Sequence, residues 1–83
     1  MITVYSKPGC VQCNATYRHL ESNGLSEGVG YEKVSLLDHP DMVETFKDNN
    51  LLQAPIVVID GDLSSAFAGF HPDLLDDAIA TAK

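Results

Sequence analysis

The sequence has few basic residues, few cysteines and no long apolar run, and each scarcity excludes a class of protein. Five Lys and Arg residues stand against twelve Asp and Glu. They form no cluster, so we do not expect nucleic acid as a partner, because phosphate binding needs grouped positive charge. Two cysteines cannot supply the several bridges of a disulfide-stapled domain. No apolar stretch approaches the roughly 20 residues of a transmembrane helix, so we expect no membrane span.

The remaining composition is that of an ordinary globular chain. With 83 residues, 45% of them hydrophobic and 20% charged, we expect a single monomeric domain over residues 1–83. The formal charge of −7 predicts an acidic, solvated surface, or alternatively steering toward a basic partner. Met1 is followed directly by a strand-like run without the apolar segment of a signal peptide. We therefore expect a cytoplasmic, reducing location.

Both cysteines, Cys10 and Cys13, lie where a predicted strand gives way to a predicted helix. Thiols at positions i and i+3 of a first helical turn face the same way, and this spacing suits a disulfide. Cys10 also lies at the helix N terminus, where free N–H groups and the helix dipole favour a thiolate. The pattern therefore indicates a dithiol that cycles between reduced and oxidised forms.

The hydrophobic pattern predicts the element order β-α-β-α-β-β-α. Strands are expected over residues 2–6, 31–37, 56–59 and 63–68, and helices over 11–24, 40–49 and from 73 onward. A helix joins the first two strands, so they should be parallel, whereas the turn at 60–62 makes the last two antiparallel. The continuous apolar run 56–59 indicates a strand buried on both faces. We expect an α/β fold in which three helices flank a four-stranded mixed sheet.

Three segments together resemble the thioredoxin fold and, more specifically, the NrdH-redoxins, which are glutaredoxin-like proteins with thioredoxin-like activity. Residues 4–16 (Val-Tyr-Ser-Lys-Pro-Gly-Cys-Val-Gln-Cys-Asn-Ala-Thr) are similar to that family's N-terminal signature. Residues 53–58 (Gln-Ala-Pro-Ile-Val-Val) and 69–73 (Gly-Phe-His-Pro-Asp) match two further family segments in order and position. The resemblance spans nearly the whole chain.

The resemblance implies an electron carrier without a resident cofactor. Its partners would be an NADPH-dependent thioredoxin reductase, which is a separate flavoprotein, and the large subunit of class Ib ribonucleotide reductase. Cys10, nearest the helix N terminus and the more exposed thiol in the implied fold, is our predicted nucleophile. Cys13, one turn further in, would resolve the mixed disulfide. The alternatives for this pair are inert thiols or half of a zinc site.

A zinc site would need further ligands beyond the two cysteines. The remaining candidates are His19, His39 and His71, and the chain has neither a second Cys-x-x-Cys nor a closely spaced histidine pair. We therefore predict no metal site. His19 and His39 are expected on the surface.

The implied fold also places a substrate groove beside the dithiol. A cis bond between Ala54 and Pro55 would expose the Ala54 backbone to an extended substrate; the alternative is a trans proline that begins a strand. Gly69 and Phe70 would border the groove, although Phe70 is alternatively a core residue. The remaining candidates for partner binding flank the dithiol or the groove: Tyr5, Lys7, Val11, Gln12 and His71. For Tyr5 the alternative is packing, and for Lys7, Gln12 and His71 it is a solvated surface.

The sequence departs from the family pattern at residues 67–72. The usual Trp-Ser-Gly-Phe-Arg-Pro is here Phe-Ala-Gly-Phe-His-Pro, which lacks the indole donor, the serine hydroxyl and the fixed positive charge. A glutathione-dependent glutaredoxin is the alternative function. Those proteins usually carry Cys-Pro-Tyr-Cys and a Gly-Gly-x-Asp segment whose amides hold the glutathione carboxylate, whereas Val11-Gln12 and Pro72 differ here. A metal-binding or iron–sulfur module using Cys10 is the third possibility.

Overall fold

A computed structural model describes residues 1–82, and its elements follow the predicted order with two short additions. The helices are α1 (Val11–Ser22), α2 (Pro40–Asp48) and α3 (Pro72–Ala82), with a 3₁₀ turn at Leu36–Asp38. The strands are β1 (Ile2–Ser6), β2 (Ser26–Glu27), β3 (Gly30–Ser35), β4 (Ile56–Ile59) and β5 (Asp62–Ala68). In the described part of the chain, no helix has the length and apolarity needed to cross a membrane.

The strands form one mixed sheet in the order β2-β3-β1-β4-β5. β1 is parallel to β3 and antiparallel to β4, and β4 is antiparallel to β5. The predicted directions are therefore confirmed, and β5 is one of the two edge strands. In this register Tyr5 lies opposite Val34 and Ile56. The C-terminal ends of β1 and β3 and the start of β4 therefore lie together at one end of the sheet.

The sheet has five strands instead of the four that we predicted. Two residues expected in a loop, Ser26 and Glu27, pair with the start of β3. The chain can fold back there because Gly30 has a φ of +102°, and a Cβ at that position would collide with the Leu25 side chain. A strand of two exposed polar residues has no hydrophobic alternation, so the sequence pattern did not reveal it.

The second predicted strand, which is β3 in the structure, also ends earlier than expected, at Ser35 instead of residue 37. The Ser35 hydroxyl accepts a hydrogen bond of 3.2 Å from the Leu37 amide and begins the 3₁₀ turn. This local bond turns the backbone away from the sheet, although residues 36 and 37 are apolar and suit a strand.

Helices cover both faces of the sheet, as predicted. On one face, α1 and α3 pack over the sheet through a buried cluster of Ile2, Val4, Leu20, Tyr31, Val57, Leu75, Ala78 and Ile79. On the other face, α2 packs through Phe46, together with Leu51, Ile56 and Val58. Successive residues of β4 therefore enter different clusters, because side chains alternate across a strand. This arrangement explains why residues 56–58 are all apolar.

Candidate active site

The two cysteines occupy the first turn of α1 and form a disulfide. Cys10 is the N-cap residue, with an extended backbone (φ −89°, ψ 106°), and its sulfur accepts a hydrogen bond of 3.1 Å from the Cys13 amide. The two Cα atoms are 5.2 Å apart, a separation at which a disulfide is readily made. The first turn of the helix thus directs a backbone N–H at the sulfur that is predicted to react.

The two sulfurs differ in their access to solvent. Cys10 is half-buried, whereas Cys13 is only 2% exposed. Cys13 lies on the inner side of α1, where Thr16 and Leu20 at the following helical positions are also buried. The expectation that Cys10 is the more exposed member is confirmed.

The loop before β4 lies at the same end of the sheet as the dithiol. The Ala54–Pro55 peptide is cis, as the resemblance implied. Both residues are buried, and the Pro55 carbonyl accepts a hydrogen bond of 2.8 Å from the Gly69 amide. The pairing of β1 with β4 brings Pro55 next to the end of β1, from which the chain continues to Cys10.

We call residues 69–72, which are the connection between β5 and α3 together with the first residue of α3, the rim loop. Its Phe70 amide donates a hydrogen bond of 2.9 Å to Gln12 Oε1, which joins the loop to the Cys-x-x-Cys segment. Gly69 has a φ of +86°, and a Cβ there would lie 2.8 Å from Gln53 Nε2 and 3.4 Å from Gln12 Oε1. Glycine suits this position because the backbone is left-handed, and a Cβ would also displace the adjoining amide side chains.

The aromatic residues near the rim loop are partly buried. Phe70 packs against the cluster between α1, α3 and the sheet, and the His19 ring meets it edge-on at 6.2 Å between centroids. The part of Phe70 that participates in the site is therefore its backbone amide. His71 is exposed, and its ring meets that of Phe67 at 6.1 Å.

The other predicted binding residues differ in their placement. Tyr5 packs edge-on against Phe46, with ring centroids 4.9 Å apart, so packing accounts for its position. Val11 is 76% exposed beside Cys10. Lys7 is exposed and borders two concavities. Val11 and Lys7 are available to a partner at the dithiol.

The two concavities lie on different sides of the loop that carries Lys7. One, of about 300 Å³, is lined by both cysteines and by residues of β1, α1 and the end of β3. The other, of about 130 Å³, is mainly apolar and lies between α2 and the segment before β4. A partner that approaches Cys10 therefore meets a hollow of mixed polarity on one side and a mainly apolar hollow on the other.

Two residues of the site were not singled out by our sequence analysis. Gln53 lies against Gly69, and Tyr17 lines the larger concavity together with the cysteines. The place of Gln53 directly before Ala54 and Pro55 was a usable signal, because it is next to the predicted groove. Tyr17, in the middle of α1, carried no such signal.

Among residues 1–82, no three His, Cys, Asp or Glu side chains converge as a metal site requires. His19, which we expected on the surface, is half-buried, and its Nε2 lies 2.7 Å from Asp76 Oδ1 on α3. The difference arises because α3 packs beside α1 and partly covers this ring. His39 is exposed, as predicted.

The pKa is shifted for two side chains at the end of the sheet that is opposite the dithiol. Burial and a hydrogen bond of 2.6 Å to Glu21 raise the pKa of Tyr31, at the start of β3. Hydrogen bonds from the hydroxyl and the amide of Ser64 lower the pKa of Asp62, at the start of β5. Tyr31 pairs with Ile2, at the far end of β1 from Cys10, so its ionisation bears on the fold and not on the sulfur chemistry.

A mixed sheet between helices, with a Cys-x-x-Cys disulfide at the N terminus of the first helix and a cis-proline loop at the same edge, defines a thiol–disulfide oxidoreductase of the thioredoxin fold. The glutaredoxin family model matches residues 2–64. The glutaredoxin-like protein NrdH of Salmonella typhimurium is 39% identical over 75 residues, which cover 90% of this chain and 84% of that protein. NrdH of Escherichia coli K12 is 37% identical over the same shares.

The solved structure of NrdH-redoxin from Escherichia coli has a TM-score of 0.75 and 29% identity, covering 92% of this chain and 91% of that one. The chain belongs to the glutaredoxin family, among its NrdH glutaredoxin-like members. The resemblance that the three sequence segments indicated is thereby confirmed.

Proposed function

We propose that the protein is a cytoplasmic dithiol electron carrier that takes electrons from NADPH through thioredoxin reductase and passes them to protein disulfides. The large subunit of class Ib ribonucleotide reductase is the proposed recipient. The observation that carries the proposal is the half-buried Cys10 at the N-cap of α1, beside a resolving Cys13 that is 2% exposed. The family relationship supports the choice of partners, because NrdH-redoxin from Escherichia coli has a thioredoxin-like activity profile.

The proposed reaction moves two electrons and two protons to the target. The Cys10 thiolate attacks one sulfur of the target disulfide, and the other target sulfur leaves as a thiolate that takes up a proton. Cys13 then loses its proton and attacks the sulfur of Cys10. The second target thiolate leaves and is protonated, and the Cys10–Cys13 disulfide remains, which is the state in this structure.

The chain's own groups would support each step. The Cys13 amide, which donates to Cys10 Sγ at 3.1 Å, would stabilise negative charge on that sulfur when it attacks. Lys7 is exposed beside the same concavity and supplies a positive charge in an otherwise acidic chain. No resident cofactor is proposed, because NADPH and flavin belong to the separate reductase that returns two electrons to the disulfide.

The test follows insulin disulfide reduction with two electron sources. One reaction contains NADPH and thioredoxin reductase, and the other contains NADPH, glutathione reductase and glutathione. We expect turnover that depends on the protein in the first reaction and little in the second. Turnover in the glutathione reaction alone would overturn the proposed electron source. The Cys10→Ser variant is the control and should be inactive in both.

The proposed recipient needs a separate experiment. Class Ib ribonucleotide reductase, supplied with NADPH and thioredoxin reductase, should form deoxyribonucleotides at a rate that rises with added protein. Saturation at micromolar concentration supports a specific interaction. A rate no greater than that given by an equal concentration of dithiothreitol contradicts this recipient and leaves the general dithiol activity standing.

A further inference from the structure

The rim loop offers few free N–H groups although it contacts Gln12, which lies between the two cysteines. The Gly69 amide donates to the Pro55 carbonyl at 2.8 Å, and the Phe70 amide donates to Gln12 Oε1 at 2.9 Å. Pro72 has no N–H to donate. Three of the four loop residues therefore present no backbone donor to a ligand that has reached Cys10.

The Phe70 amide differs from the Gly69 amide because its hydrogen-bond acceptor is a side chain and not a backbone carbonyl. Gln12 lies inside the Cys-x-x-Cys segment and is exposed, yet its amide oxygen bonds a backbone group 58 residues away. Its own backbone carbonyl is held separately, by a hydrogen bond of 2.9 Å from the Thr16 hydroxyl. A change of the Gln12 side chain can thus free the Phe70 amide without removing the bond that holds the helix backbone.

A free Phe70 N–H would favour the binding of one class of substrate, small thiols that carry carboxylates. A carboxylate is held well by backbone N–H donors, and hydrogen bonds to a charged group are about twice as strong as neutral ones. A small thiol that carries carboxylates needs such an anchor to remain beside Cys10, whereas a polypeptide disulfide has a larger contact area. Asp73, in the first turn of α3 next to the loop, adds negative charge that also disfavours an anion.

We propose that Gln12 is a specificity-determining residue that closes the Phe70 amide to carboxylates and so excludes small anionic thiols from the dithiol. The inference rests on the proposed function, because it names the substrate class that the site accepts: polypeptide disulfides. Gln12 acts here through the rim loop and takes no part in the sulfur chemistry.

The test measures binding of S-methylglutathione, which carries carboxylates and cannot exchange with the disulfide, to the oxidised protein. Amide NMR spectra follow the Phe70 resonance during the titration. In Gln12→Met, which keeps the side-chain length and lacks the acceptor, we expect the Phe70 resonance to move and affinity to rise by about three- to tenfold. In the parent protein the Phe70 resonance should remain in place at the same concentrations.

Two controls separate this role from general loosening of the loop. Gln12→Glu keeps an acceptor for the Phe70 amide and should bind the probe no better than the parent. The diethyl ester of S-methylglutathione has no carboxylate and should bind the parent and Gln12→Met equally. A similar gain with the ester or in Gln12→Glu would contradict the proposal.

The outcome is independent of the reductase assays, because the titration contains no reductase. If Gln12→Met binds the probe no more tightly than the parent, the inference is wrong while the proposed electron carrier stands. If the Phe70 resonance already moves in the parent, the inference is wrong whichever reductase supports turnover.

Discussion

The sulfur of Cys10 accepts a hydrogen bond from the backbone amide of Cys13, so the proposed resolving residue donates to the sulfur of the proposed nucleophile. The bond is 3.1 Å long and is made by one of the N–H groups that a helix leaves free in its first turn. The same turn holds the second sulfur inside, at 2% exposure. One helical turn therefore makes the two sulfurs of the pair unequal.

The first prediction concerns the reactivity of the reduced protein. At pH 7 iodoacetamide should modify Cys10 at least about tenfold faster than Cys13, because Cys10 is accessible and lies at the helix N terminus. Mass spectrometry of peptides from timed samples gives both rates. Equal, slow rates would contradict the assignment of Cys10 as nucleophile.

The second prediction concerns the mixed disulfide. Cys13→Ser should accumulate a covalent adduct between Cys10 and a target protein, since no second thiol remains to release it. Cys10→Ser should form no adduct and should have no detectable reductase activity. Non-reducing gels with a dithionitrobenzoate-activated target measure both results. An adduct formed by Cys10→Ser alone would reverse the two roles.

The third prediction concerns the core beneath the dithiol helix. Leu20 is fully buried between α1 and the sheet, so Leu20→Ala should lower the free energy of unfolding by about 2–5 kcal/mol. Leu37 is 71% exposed, and Leu37→Ala should change it by less than about 0.5 kcal/mol. Urea unfolding of the oxidised proteins compares the two. Similar losses for both variants would show that the core is misassigned.

The fourth prediction concerns alkaline pH. Burial and the bond to Glu21 raise the pKa of Tyr31 in the folded state. The unfolded chain therefore releases this proton first, at about pH 10, so the stability contributed by the neutral phenol is complete below that pH and declines above it. The fall in unfolding free energy between pH 8.5 and 10.5 should be smaller in Tyr31→Phe than in the parent. Urea titrations at both pH values test this, and identical falls would contradict it.

Much of the fold was predictable because its signals are local. Residues 2–24 contain a strand pattern, two cysteines at i and i+3, and a helical stripe, and β1 and α1 form there. The run 56–59 was assigned to a doubly covered strand because every position was apolar, and β4 lies between two buried clusters. Such features depend on residues close together in the sequence.

Other features depended on contacts that the pattern does not contain. β2 has two polar residues, and its pairing with β3 relies on the backbone of Gly30 instead of hydrophobic alternation. His19 was expected on the surface, but the packing of α3 against α1 covers part of it and brings Asp76 within 2.7 Å. Tyr5 had packing and partner contact as equal interpretations, and the position of Phe46 accounts for it by packing.

The sequence by itself determined the position of the dithiol, the order of the principal elements and the family, because a cysteine spacing and the hydrophobic periods act over neighbouring residues. Only the tertiary structure decided that β1 is central and that the rim loop meets the Cys-x-x-Cys segment. The hydrogen bond between Phe70 and Gln12 joins residues 58 positions apart in the sequence. It forms because the pairing of β1, β4 and β5 brings both residues to one end of the sheet. Strand register sets that encounter, and no local pattern specifies it.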